Sequence, residues 1–178
     1  MGETMEKLKP YLTALLLLSL ILFPSCAAKR SLPDYRAAAF SVELRWETEG
    51  QTVYAHAEYE APSPDGTVRN FRLRFTAPES MKGMTLTRKG EHITLERDGL
   101  LCDGSKCSAL LSVADLLITE GTIKSLGNTE WNGLTLRYAE IRDTEGEVIS
   151  LLLDPESGSP KQAVRKDTTL TVLRFEKT

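Results

Sequence analysis

Apolar and polar side chains alternate with a period of two along most of this chain, in runs too short for amphipathic helices and bounded by turn residues. Phe40, Val42, Leu44 and Trp46 alternate with Ser41, Glu43, Arg45 and Glu47. After Glu49-Gly50, Val53, Ala55, Ala57 and Tyr59 alternate with Tyr54, His56 and Glu58. A pattern with this period buries one face of a strand, and the short punctuation predicts a hairpin. The loop "APSPDGTVRN" precedes a third run, in which Phe71, Leu73 and Phe75 alternate with Arg72 and Arg74. Further strands are expected at Met84–Leu86 and Ile93–Leu95, with turns at Lys89-Gly90 and Asp98-Gly99. Later strands are expected at residues 132–141, 147–153, 161–165 and 170–175. Asp154-Pro155 to Pro160 forms a turn among them. The expected fold class is mainly β (α+β), one antiparallel sheet of about nine to eleven strands joined by local turns.

One stretch departs from this period. In "SVADLLITEG" Val113, Leu116 and Leu117 share a helical face, Ser112 and Asp115 fit a capping box, and Gly121 stands where a helix would end. A short amphipathic helix is expected there. With 178 residues and 41% hydrophobic side chains, the chain has material for one domain with a real core. Its net charge of −3 gives it no general attraction for nucleic acid or anionic lipid, so no nucleic-acid partner is expected.

The start of the chain has a different character. Lys7 and Lys9 precede a 13-residue apolar run, Tyr11 to Phe23, which is shorter than the roughly 20 residues a membrane-spanning helix needs. It reads as the apolar region of a secretory signal, with Met5-Glu-Lys-Leu-Lys-Pro as a second acceptable opening. The sequence Phe23-Pro24-Ser25-Cys26 resembles the lipobox of bacterial lipoproteins. That resemblance implies cleavage before Cys26 and lipid attachment, with palmitate-type chains, at Cys26. Residues 1–25 are then a signal peptide, 26–37 a flexible tether and 38–178 the folded domain. The protein is expected outside the cytoplasm, lipid-anchored to the membrane at the cell surface or on the periplasmic side, because two acyl chains hold where one is marginal.

Cys102 and Cys107, spaced C-x4-C, are expected to form a disulfide in such a compartment. His56 and His92 each lie inside a strand-like run, away from other ligands, so neither a metal nor a cofactor is expected. No catalytic motif is present, and a Cys107 nucleophile served by His56 or His92 has no support from spacing. The chain is expected not to be an enzyme. Arg69, Arg72, Arg74, Arg88 and Arg97 are candidates for a basic strip that meets phospholipid headgroups or acidic wall polymer, but at two-residue spacing among Glu and Thr they read as a solvated sheet face.

The segments "FRLRFTAPESMKGMTLTRKGEHITLERDG" and "GLTLRYAEIRDTEGEVISLLLDPESGSPKQAVRKD" resemble the LolA/LolB-like lipoprotein carriers and the related RseB-like and LppX-like lipoproteins. In those families strand, proline, strand and helix lead to a hairpin that here is Leu153-Asp154-Pro155-Glu156-Ser157-Gly158-Ser159-Pro160. The resemblance implies a strongly curved, half-open antiparallel barrel. Its apolar concave face is covered by one or more short helices and holds acyl chains or another apolar ligand. Candidate concave positions are Trp46, Phe71, Leu73, Phe75, Ile93 and Leu95 from the first half. Leu134, Leu136 and Tyr138 are candidates from the second, with Val113, Leu116 and Leu117 on the lid. The competing reading is a non-catalytic, RseB-like module that binds a protein partner in the envelope. An acyl-sized tunnel favours lipid and a filled interior favours a partner. A monomer is expected.

Overall fold

The computed structural model describes residues 34 to 178 apart from 49, 65–67 and 144. The expected signal segment, Cys26 and most of the expected tether lie outside the described residues. Eleven strands form one sheet: β1 (Phe40–Thr48), β2 (Gln51–Tyr59), β3 (Phe71–Ala77), β4 (Thr85–Lys89), β5 (His92–Arg97) and β6 (Leu100–Asp103), then β7 (Lys124–Trp131), β8 (Leu134–Arg142), β9 (Val148–Leu153), β10 (Pro160–Arg165) and β11 (Thr168–Lys177). The spatial order is β6-β5-β4-β3-β2-β1-β11-β10-β9-β8-β7, and every pairing is antiparallel. The sheet is curved and unclosed, the half-open barrel that the resemblance implies.

Two meanders meet in the middle of this sheet, where β1 pairs with β11. The chain therefore leaves one edge of the sheet at β6 and resumes at the opposite edge with β7. The connection between them must cross the open groove. It contains a single-turn 3-10 segment (Gly104–Lys106) and the helix α1 (Ser108–Asp115). The lid over the concave face is thus a consequence of strand order.

Strand alternation sorts the side chains as the sequence pattern demands. Phe40, Val42, Leu44 and Trp46 stand opposite Tyr59, Ala57, Ala55 and Val53 on β2, and the rows of Tyr59, Ala57 and Ala55 continue to Phe71, Leu73 and Phe75 on β3. All of them are buried in one core cluster. On the other wing Leu170, Ala163, Leu151 and Ala139 form a matching row. The two-residue turns Asp98-Gly99 and Asn132-Gly133 place both residues at positive φ (50° and 79°; 49° and 75°). This is the hairpin geometry whose twist matches the strands.

The strands expected at 84–86 and 93–95 are β4 and β5, extended at one or both ends. Two strands have no counterpart in the sequence reading. β6 has four residues, all exposed, and β7 is interrupted by a register shift between Ser125 and Gly127. The β9–β10 turn is built around Asp154. Its carboxylate accepts the Glu156 and Ser157 amides at 3.1 and 2.8 Å and the Ser157 hydroxyl at 2.9 Å. The Ser157 amide, with the hydroxyl beside it, holds this carboxyl below its ordinary range. Asp154→Ala is expected to destabilise the domain by about 1–2 kcal/mol, read as a lowered urea midpoint at unchanged slope.

Candidate functional site

The concave face and the lid across it form the site. α1 runs from Ser108 to Asp115 between the caps Cys107 and Leu116, so it starts several residues earlier than the capping pattern at Ser112 predicted. Ser112 lies within the helix, where its hydroxyl donates to the Ala109 carbonyl at 2.9 Å, and Asp115 is its last residue. Cys107 takes the N-cap position without a side-chain cap bond. Gly121 lies beyond the helix end, at φ +128°.

Glycines fix both ends of the lid. A Cβ on Gly104 would lie 2.8 Å from Ile93 Cγ2 on β5, so the entry turn touches the sheet there. A Cβ on Gly121 would lie 2.7 Å from the Arg142 carbonyl oxygen on β8, so the exit does the same on the far wing. Close backbone approach is what these positions require of glycine.

Between these anchors the lid seals the groove. Ala114, Leu116 and Leu117 are 0% exposed, as are Leu73, Leu86, Ile141, Ile149, Leu151 and Leu153 of the same core. Of the positions expected on the concave face, Trp46, Phe71, Leu73, Phe75, Val113, Leu116 and Leu117 join the buried cluster, and Ile93 and Leu95 pack against it half-buried. Leu134, Leu136 and Tyr138 are not in this cluster, although Leu136 is itself buried at 2% exposed. Ala139 and Ile141 point inward from β8, and the two-residue period then turns Tyr138, Leu136 and Leu134 to the convex side. The Tyr138 hydroxyl lies 3.2 Å from Glu140 and 3.3 Å from Ser150 there, and Leu134 is 54% exposed.

Polar groups fasten the lid from several elements. The Tyr59 hydroxyl donates to the Ala114 carbonyl and the Tyr35 hydroxyl to the Leu117 carbonyl, each at 2.9 Å. Burial raises the pKa of both phenols, so they stay protonated donors. Arg165 donates to the Ser112 carbonyl at 2.8 Å. Arg88 of β4 forms a two-pronged bond to Asp115 (2.6 and 3.2 Å) while its guanidinium covers the Phe71 ring at 4.6 Å. Arg88 is therefore a buried, inward-facing group, in contrast to the solvated arginine face expected; Arg72 and Arg74 are exposed on that face.

Asp34 to Ala37, the end of the segment expected as tether, is docked on the domain. Tyr35 is 3% exposed and packs edge-on to Phe40 and Phe175. Arg36 donates to the carbonyls of Thr119 and Gly121 and pairs with Asp34 at 2.7 Å. That side-chain bond from Arg36 holds the Asp34 carboxyl below its ordinary range. The signal for this docking was an aromatic residue, Tyr35, in a segment otherwise without pattern.

A cleft of about 600 Å³ opens where the lid's exit, the Tyr35 turn and the residues Pro62, Ser63, Val68 and Arg69 converge. Arg36, Arg69, Arg88 and Arg165 line it with Asp115 and Asp143. Arg69 donates to the carbonyls of Glu60, Arg36 and Ala38, and its burial lowers its pKa. Its charged lining is mixed in sign, beside apolar Ala37, Pro62, Val68 and Ile118.

Cys102 and Cys107 are both free thiols, so the expected disulfide is not formed. The turn between them is closed without it: Asp103 accepts the Ser105 amide at 2.9 Å and Cys107 donates to the Gly104 carbonyl at 3.0 Å. His56 and His92 lie on β2 and β5, His56 on the convex face beside Glu58 at 3.6 Å. Among the described residues no three His, Cys, Asp or Glu side chains gather as a metal site.

No family model matches the chain, and no curated protein matches it in sequence. Solved structures do share the fold. An uncharacterised conserved protein of Thermus thermophilus is 12% identical, with 81% of each chain covered and a TM-score of 0.52. MucB is 15% identical, with 81% of this chain covered and a TM-score of 0.50. The chain spans 55% of the length of MucB. A LolA superfamily protein of Nitrosomonas europaea is 10% identical over 80% of this chain and 87% of that one, with a TM-score of 0.39. At these identities the likeness to the first two is one of fold.

Proposed function

We propose that this chain is a non-catalytic, extracytoplasmic protein-binding module, tethered to the membrane by a lipid on Cys26. The observation that carries the reading is the filled interior. Lid residues Ala114, Leu116 and Leu117 and sheet residues Leu73 and Leu86 have no exposed surface, so no vacant volume for an acyl chain borders them, and the clefts of about 600 and 810 Å³ elsewhere carry charged side chains in their walls. A surface that meets a protein partner needs no such cavity. MucB, one of the proteins with this fold, has been solved in complex with MucA.

A second reading keeps the apolar ligand and has it enter beneath an opened lid. It is favoured by the nature of the polar fastenings, which are hydrogen bonds, two of them buried, and one ion pair. Such bonds are worth about 1 kcal/mol each in net terms, within reach of a ligand's binding energy. Titration with a fluorescent fatty acid separates the two. No saturable binding at micromolar concentration is expected, and one-to-one binding would favour the lipid reading.

The anchor is tested independently. Cys26→Ala is expected to release the protein from membranes or to stall it as an uncleaved precursor. An intact mass for the wild type with no acyl group on Cys26 would remove the anchor from this account.

A further inference from the structure

We infer that the free edge of β6 is a docking strand for an extended segment of a partner protein, one that alternates basic and apolar residues. The inference rests on the protein-binding reading above and names the surface and the chemistry. It starts from the register of the β5–β6 hairpin. Arg97 and Leu100 flank the two-residue Asp98-Gly99 turn, and in such hairpins the flanking pair exchanges both main-chain bonds. Leu95 and Cys102 are the next bonded pair. The intervening residues of β6, Leu101 and Asp103, therefore turn their N–H and C=O groups away from β5, toward the side where the sheet has no further strand.

The side chains agree with an edge that is meant to be covered. Leu100 is 73% exposed and Leu101 66%, and successive residues face opposite sides, so apolar surface flanks the open ladder above and below. An added strand covers both sides at once. The opposite edge, β7, has ordinary protection against pairing: Lys124 and Glu130 along it, and a register shift between Ser125 and Gly127 that breaks the ladder. β6 has neither a charge before Asp103 nor a bulge.

Charge selects the occupant. On the Leu101 side, Glu96 stands directly across on β5 and Asp103 two residues along. Among the described residues neither carboxylate is in an ion pair. Arg97 is engaged by Asp98 at 3.6 Å, and Lys106 lies in the turn beyond the strand. A partner strand with lysine or arginine opposite Leu101 and Asp103 places cations beside those carboxylates. Its alternate apolar residues meet Leu100 and Cys102 on the other side. Two outward-facing residues make a short ladder, suited to reversible docking.

The test uses the full chain and two synthetic heptapeptides, one alternating lysine with valine and one alternating glutamate with valine. The expected result is saturable binding of the lysine peptide, with slowed amide exchange at Leu101 and Asp103, and at least tenfold weaker binding of the glutamate peptide. Leu101→Pro removes the outward N–H while leaving the β5 bonds intact, and is expected to weaken the lysine peptide at least tenfold. Leu101→Lys does the same by charge if the proline variant fails to fold. Failure of the lysine peptide to bind, or equal binding of both peptides, overturns the inference. Protection of Leu101 and Asp103 that rises with protein concentration without peptide also overturns it, in favour of a second copy. Binding with protection confined to the Arg69 cleft overturns the docking edge but leaves the protein-binding reading standing. Saturable binding of a fluorescent fatty acid is the result that counts against that reading itself.

Discussion

Leu73→Trp is expected to destabilise the domain by about 3 kcal/mol, at the upper end of what overpacking a core costs. Leu73 is 0% exposed, sits between Ala57 of β2 and Leu86 of β4, and belongs to the same buried cluster as lid residues Leu116 and Leu117. An indole there has no free volume and must displace the lid or a neighbouring strand. Arg72→Ala, one residue away on the convex face, is expected to change stability by no more than about 0.5 kcal/mol. Urea unfolding of both variants makes the comparison. A concave face kept open for a ligand would take the tryptophan at little cost, so near-wild-type stability of Leu73→Trp would contradict a filled interior.

Arg88→Ala should have the largest effect of any polar substitution, about 2 kcal/mol in global stability. The side chain is buried, donates to Asp115 twice and to the Arg69 carbonyl at 2.9 Å, and lies over Phe71. Losing one partner of a buried ion pair costs about 3–5 kcal/mol when the other charge stays buried. Asp115 is 36% exposed in its side chain, so water takes up much of that loss. The more telling effect is local. Amides of α1 are expected to exchange at least tenfold faster in Arg88→Ala, with β1, β2 and β3 unchanged, because the latch joins the lid to the sheet. Equal acceleration across the sheet would show that Arg88 supports the core as a whole.

Period-two alternation was enough to place β1, β2, β3 and the later strands, because each buries one face against a common core. The strands it missed lack that signal for physical reasons. β6 is four residues at an edge, exposed on both sides, so no burial selects a pattern. β7 contains Gly127 and a register shift, which break the alternation. Asn132-Gly133 was the available clue, since that dipeptide between two apolar runs signals a hairpin and thereby a strand before it. The face of β8 was misread for a related reason. Leu134, Leu136 and Tyr138 look like a core row, and Leu136 is buried, but Ala139 and Ile141 are the residues that join the main cluster, and small size hides Ala139 in any hydrophobicity pattern.

The lid was legible as a helix near Val113 but not in its bounds, because Cys107 as an N-cap carries no side-chain signature and the Ser112–Asp115 spacing imitates one. The latch was not legible at all. Arg88 and Asp115 are 27 residues apart, and only the fold of β4 and the crossing of the groove bring them together. The same holds for Tyr35 and Leu117, 82 residues apart.

Native mass spectrometry of the chain purified from membranes tests the filled interior most directly. A single species is expected, with the mass of the polypeptide and its covalent anchor and no further adduct at low activation energy. A stoichiometric non-covalent acyl adduct, lost on collisional activation and absent when Leu73 is replaced by tryptophan, would contradict it and place a lipid beneath the lid.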